Sequence, residues 1–236
     1  NLLEYENVRI HAKYNSILQA TSAGKENISE IKDFTGIDTN TLPAYIKRLD
    51  ELLELIGRKD PLLGKERLGR YGIKDNFFRF WYKFIFPNQT ALNLGNVKIV
   101  EDDIEETLNA YVGRIFEDIC KELLIAMVNR ELKSYLLDFE NIGSWWNKKG
   151  EEIDIVAYNR KSRRILVGEV KWTNNPADIN VVDELIRKAK FINFTGEYKF
   201  LFISRNGFTE KALSRIKEIN AIQLDLKDIE KLFEQN

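Results

Sequence analysis

Apolar positions in the first third of the chain recur at helical spacing. Ile10, Tyr14, Ile17 and Leu18 share one side of a predicted helix over 8–22, and Gly24 suits its end. A short helix over 28–34 carries Ile28, Ile31 and Phe34, followed by Gly36 and the polar turn 37–40. The most regular stripe is Leu42, Ile46, Leu49 and Leu53 at i, i+4, i+7 and i+11, which predicts a helix over 41–55. Thr39 or Thr41 can cap it, and Pro43 is tolerated in its first turn. Two short helices joined by a glycine-containing turn make a helix-turn-helix pattern. Residues 55–59 and 67–74 then read as two strands, with a wing from Asp60 to Lys65 between them. The aromatic run 76–86 alternates with basic residues, which would permit base stacking. It is too apolar to stay in water, so a buried helix packing two domains together is the preferred reading.

The pattern changes after PNQTALNLGNVKIVED (87–102), which opens with Pro-Asn and lacks a helical period. Beyond it, Ile104, Leu108, Tyr111, Ile115, Ile119, Leu123 and Met127 outline a long helix over about 103–133. Strands are predicted over 135–146, 151–158 and 163–172, with a polar turn 159–162 between the last two. A helix over 178–194, a strand 198–204, a helix 208–217, a strand 221–226 and a helix 227–234 complete the chain. The order αβββαβαβ predicts an α/β fold, a mixed sheet with helices on both sides. Three segments follow: 1–86, a linker at 87–102, and 103–236.

Composition narrows the chemistry. Across 236 residues, 36 Lys and Arg balance 37 Asp and Glu, so a uniformly basic nucleic-acid coat is excluded. The surplus is local: residues 58–83 carry eight basic and three acidic side chains. A single cysteine, Cys120, excludes a disulfide framework and a cysteine-rich zinc site. Cys120 reads as a helix residue without redox work. A single histidine, His11, leaves no histidine-based metal site or Ser-His-Asp triad, and reads as a helix-surface residue. Neither a membrane-spanning run nor a leader is visible, which predicts a cytoplasmic location and no membrane partner. The chain opens with Asn and its one Met is Met127, so a piece of a longer protein is expected.

The residues that carry chemistry are Asp154, Glu169 and Lys171. Glu169 and Lys171 stand at i and i+2 of an apolar strand, ILVGEVKW, and so share a face. Asp154 lies between Ile153 and Ile155 and should face opposite to both. An even-numbered turn centred near 160–162 brings it across from Glu169 or one diagonal step away. Two carboxylates and the Val170 carbonyl make a hard oxygen site suited to Mg2+ or Mn2+. A nearby lysine can orient or deprotonate water and stabilise a charged phosphorus centre. The simpler alternative is a surface hairpin with a Glu169–Lys171 pair. Glu152 shares the strand parity of Asp154, and Lys148 and Lys149 precede that strand; solvated ends are the simpler reading for them and for Glu151. Trp145 and Trp146 read as core.

Asp154, then Glu169-Val170-Lys171, on the second and third strands of an αβββαβ core, resembles the PD-(D/E)xK restriction-endonuclease-like superfamily. The resemblance implies that Glu117, in RIFEDICKEL, completes a metal site with Asp154 and Glu169, and that Lys171 assists the attacking water. It also implies a polar contribution from the next helix, by Arg187 or Lys188. YGIKDNFFRFWYKFIFPN (71–88), GSWWNKKGEEIDIVAYN and ILVGEVKW together resemble the C-terminal region of archaeal-type DEXX-box P-loop ATPases. This implies a winged helix followed by a nuclease-like domain, with ATP bound only in a region absent from this chain, since no P-loop motif occurs here.

A DNA reading of the first segment places helix 41–55 in the major groove. Asn40, Thr41, Tyr45, Lys47 and Arg48 would face outward, and Arg58, Lys59, Lys65 and Arg67 would meet phosphates through the wing. The expected function is DNA binding with metal-dependent phosphodiester hydrolysis. The alternative is a non-catalytic DNA- or protein-binding module, a winged-helix regulator coupled to the ATPase. DNA and the ATPase domain are the expected partners, and an oligomer is left open.

Overall fold

The computed structural model describes residues 11–234, apart from the side chains of His11 and Glu66. The predicted helix start at 8–10, including Ile10, and the reading of the His11 side chain lie outside the described residues. The chain divides into two units: residues 1–60 with 67–107, and residues 61–66 with 108–236.

The first unit contains α1 (His11–Ser22), α2 (Ile28–Thr35) and α3 (Leu42–Glu51). Tyr14, Ile17, Leu18, Ile31, Leu42, Ile46 and Leu49 are buried in one core, as the helical stripes require. Asn27 caps α2 through a reciprocal capping box with Glu30, and Gly36 closes it in the left-handed region at φ 66°. Thr41 occupies the cap position of α3 without a side-chain cap; its hydroxyl donates to Asp38 O instead. An antiparallel hairpin follows, β1 (Ile56–Lys59) and β2 (Arg70–Ile73), with Ile56 opposite Ile73.

Two expectations for this region are corrected. The segment 61–66 belongs to the second unit rather than forming a free wing. Pro61 is buried there, and the Leu62 N–H donates to Ser144 O at 2.8 Å. The predicted linker 87–102 is mostly helical: α5 (Gln89–Asn93) is followed at Lys98 by α6 (Lys98–Ala126). The aromatic run forms α4 (Asn76–Phe80) and a wide π-turn over Trp81–Ile85. Its Phe78, Trp81, Tyr82 and Phe86 pack into the core of the first unit, while Phe77 remains 66% exposed.

The second unit is a three-layer α/β arrangement. After a short hairpin, β3 (Glu131–Leu132) and β4 (Tyr135–Leu136), come β5 (Asn141–Trp146), β6 (Glu152–Asn159), β7 (Arg164–Lys171), α7 (Ile179–Ala189), β8 (Glu197–Ser204), α8 (Glu210–Glu218), β9 (Ile222–Asp225) and α9 (Leu226–Glu234). The sheet order is β5-β6-β7-β8-β9; the β5–β6 and β6–β7 pairs are antiparallel, and the β7–β8 and β8–β9 pairs are parallel. Ile155, Ala157, Leu166, Leu201 and Ile203 pack on one face with α6 and α9. Ile153, Val156, Ile165, Val167 and Phe202 pack on the other with α7 and α8. The near-continuous apolar runs of β7 and β8 follow from cover on both faces.

α6 ends at Ala126 rather than near 133, and its buried stripe is rotated from the expected one. Phe116, Cys120, Leu123, Leu124 and Met127 enter the core, whereas Leu108 is 40% exposed. Cys120 is thus a core residue, and burial pushes its thiol up to about 12.

Leu201 is fully buried in the core beneath α6. Leu201→Ala should cost about 2–5 kcal/mol of stability through lost burial and a residual cavity. Urea unfolding measures this, and a loss below about 0.5 kcal/mol would mark the position as surface-like.

Candidate functional site

The site lies where β6 and β7 part. Their ladder runs from Asn159–Arg164 to Ile155–Gly168. The four-residue turn 160–163 is even-numbered, so the next opposed positions are Asp154 and Glu169. There, instead of continuing the backbone ladder, the Asp154 carboxylate accepts the Val170 N–H at 2.8 Å. On its other edge β6 carries a bulge: Gly143 pairs with Val156, but Trp145 pairs with Ile153. The extra residue turns Ile153 and Ile155 to opposite cores, which corrects the expectation that Asp154 faces away from both. Ser144 stabilises the bulge. Its hydroxyl donates to Asp154 O at 2.7 Å and accepts from Lys121 Nζ at 3.0 Å.

Glu169 is only 6% exposed. Lys171 Nζ donates to its Oε1 at 2.6 Å. Lys188 of α7 approaches Oε2 to 3.6 Å, beyond hydrogen-bonding distance, and that oxygen is buried without a hydrogen-bond partner. The neighbouring Arg187 turns away and is held by Glu151 and Glu184, each at 2.6 Å. Of the two candidates on this helix, Lys188 is therefore the one at the site.

Glu117 projects from α6 within electrostatic reach of Asp154. Burial, then the Asp154 charge, pushes the Glu117 carboxyl up to about 8. Burial, then the Glu169 charge, pushes Asp154 up to about 7. Lys171 moves upward: burial opposes its charge, but the charge and hydrogen bond of Glu169 outweigh that, so the ammonium is favoured. The cluster therefore carries closely spaced acids balanced by two lysines. Among the described residues no three His, Cys, Asp or Glu side chains are gathered as a ready-made metal centre. Lys148 and Lys149 are exposed in the turn before β6, and Trp145 and Trp146 are buried as expected.

The proposed DNA-facing residues are more dispersed. Asn40, Thr41, Lys47 and Arg48 are exposed around the start and outer face of α3, with Lys47 also 3.7 Å from Glu51. Tyr45 does not face outward: it is half-buried, edge-on to Tyr14 at 5.3 Å. Arg58, Lys59, Lys65 and Arg67 are exposed, and Arg58 pairs with Asp60 at 2.9 Å. Sequence reasoning missed Ser144 and Lys121, because neither strand parity nor helix periodicity announces the bulge they support.

Fold and site together define a two-unit protein with a mixed α/β sheet and a charged carboxylate–lysine cluster at its parting strands. Residues 81–184 match the family DUF234, described as archaeal and bacterial proteins of unknown function. The chain is 36% identical over 194 residues to Uncharacterized protein MJECL04 of Methanocaldococcus jannaschii. That alignment covers 80% of this chain but 43% of the relative, so the chain spans less than half of its length. No solved structure matches the chain significantly. Among the described residues, no helix is long and apolar enough to cross a membrane.

The raised carboxyls give a pH signature. In a chelator, the folded protein holds protons on Asp154 and Glu117 that the unfolded chain releases near the ordinary carboxyl range. Their stabilising contribution is present at low pH and is lost as pH rises through about 7 for Asp154 and about 8 for Glu117. Urea midpoints between about pH 5 and about pH 9 should show this loss. Glu117→Gln, which cannot ionise, should remove the part of the loss that runs up to about pH 8 and leave that of Asp154, and an unchanged slope would contradict the burial of Glu117.

Proposed function

We propose that the second unit is a nuclease-like domain hydrolysing DNA phosphodiesters with Mg2+ or Mn2+. The first unit would be a helix-turn-helix that engages DNA through α3. Together they would form the C-terminal region of an archaeal-type P-loop ATPase. The observation that carries this reading is the meeting of Asp154, Glu169 and Lys171 at the parting of β6 and β7, with Glu117 of α6 within electrostatic reach of Asp154. The order α6, β5, β6, β7, α7, β8, α8, β9 around the main sheet supports it, as does the helix-and-hairpin order of the first unit. The DUF234 match supports the resemblance to the ATPase family.

The residues fit a hard divalent cation. Glu169 keeps a buried oxygen without a hydrogen-bond partner, and the carboxylates are all-oxygen donors whose mutual repulsion a cation would relieve. Asp154 and Glu169 would hold it, with Glu117 completing the set. When bound, such a cation polarises a phosphoryl oxygen and acidifies water. The chain's own residues do the rest. Val170 N–H fixes the Asp154 carboxylate, and Lys188 offsets the charge of Glu169. Lys171, favoured as an ammonium, donates hydrogen bonds to the attacking water or to the charge that builds on phosphorus; in that state it is not the base.

A second reading has its own support. Lys171 and Lys188 already neutralise Glu169, an arrangement that a non-catalytic DNA- or protein-binding module would tolerate.

A cleavage assay with Mn2+ or Mg2+ on single-stranded, duplex and branched DNA separates the two. The parent should cleave, and Asp154→Ala and Lys171→Ala should each lower the rate by at least about a hundredfold. Equal cleavage by parent and Asp154→Ala would sink the site assignment. DNA binding without any cleavage would favour the non-catalytic module.

A further inference from the structure

The strand ends just past Lys171 form a second, cationic feature. Arg205 N–H donates to Lys171 O at 2.9 Å, tying the end of β8 to the end of β7. Asn206 Nδ2 donates to Thr173 O and Asn174 O at 2.9 and 2.8 Å, so the loops after the two strands form one platform. On it, the Arg205 guanidinium lies 4.5 Å from the centroid of the Trp172 ring. Trp172 in turn packs on Phe116 of α6, with ring centroids 4.9 Å apart. Trp172 follows Lys171 on β7 and Phe116 precedes Glu117 on α6, so the stack lies one residue along each element from the carboxylate cluster.

Arg205 differs from several other arginines of the described residues in what answers its charge. Arg58, Arg164, Arg187 and Arg215 each pair with a carboxylate. Among the described residues no carboxylate pairs with Arg205; its hydrogen-bond partner is the Asn174 amide oxygen, at 3.1 Å from Nη1. A guanidinium has five N–H donors in a rigid fork matched to phosphate oxygens. Here the ring stack and Asn174 hold that fork before any ligand arrives, which lowers the ordering cost of binding. Its place also suits a ligand, since open α/β sheets bind ligands beyond the carboxyl ends of their parallel strands.

We propose that Arg205, seated on Trp172, anchors a backbone phosphate of a DNA strand beside the phosphodiester presented to Glu117, Asp154 and Glu169. The inference rests on the DNA-acting reading of that site. It adds a contact that is independent of metal and of base sequence.

The test measures binding of a short labelled single strand and of its duplex to the full chain in EDTA, by fluorescence anisotropy over a salt series. Arg205→Ala should raise Kd roughly tenfold, the loss of one charge-assisted contact, and lower the salt slope by about one. Arg205→Lys, which keeps the charge but loses the fork, should fall between parent and Arg205→Ala. Lys217→Ala removes the same charge from an exposed position on α8 and should change Kd less than about twofold. Equal effects of Arg205→Ala and Lys217→Ala would overturn the anchor and leave the nuclease reading to its own cleavage assay. Weakened binding by Arg205→Ala in a parent that does not cleave would remove the nuclease reading and keep the anchor. A parent that binds neither strand nor duplex would overturn both.

Discussion

Two carboxylates opposed on neighbouring strands inside a protein repel each other and lose water, so they persist only where nearby groups answer their charge. Asp154 and Glu169 stand in that relation, and much of the second unit is arranged around it. The β6–β7 ladder stops one pair short of them, which frees the Val170 N–H for Asp154. Lys171 and Lys188 approach Glu169 from its own strand and from α7. α6 adds a third acid, Glu117, which raises the electrostatic cost further. An ordinary hairpin gains nothing from this concentration of buried charge, whereas a site that handles phosphates or cations does.

The scaffold that tolerates this cost is apolar on both sides. One face of the sheet is sealed by α6 and α9 and the other by α7 and α8, so the strands are rigid where the charges sit. The β5–β6 bulge then shifts the ladder at Asp154, whose carboxylate accepts the Val170 N–H. Ser144 anchors that bulge on both sides, binding Asp154 O through its hydroxyl and Leu62 N–H through its carbonyl. The segment joining β1 and β2 is therefore part of the support for Asp154. Its sequence, with buried Pro61 and part-buried Leu62 and Leu63, suits packing better than a solvated wing.

Several features were legible from residues alone because they depend on local periodicity. The stripe Leu42, Ile46 and Leu49 fixes α3, and the alternation in ILVGEVKW puts Glu169 and Lys171 on one face. The even-numbered turn sets Asp154 opposite Glu169. Other readings failed where tertiary contacts overrode local pattern. The long helix α6 offers several plausible apolar stripes, and only the sheet selects Phe116 and Cys120 over Ile115 and Ile119. Residues 98–102 look like linker because Glu101 and Asp102 interrupt the apolar spacing, yet they form the first turns of that helix.

What the sequence determined by itself is the succession of helices and strands from β6 to α9, the mixed α/β class and the shared face of Glu169 and Lys171. These follow from spacing along one strand or helix, over distances that backbone geometry sets. Only the tertiary structure decided that β6 bulges at Asp154, that Lys188 rather than Arg187 meets Glu169, and that Arg205 is seated on Trp172 without a carboxylate partner among the described residues. Each of these joins residues distant in sequence, and their meeting depends on how whole layers pack.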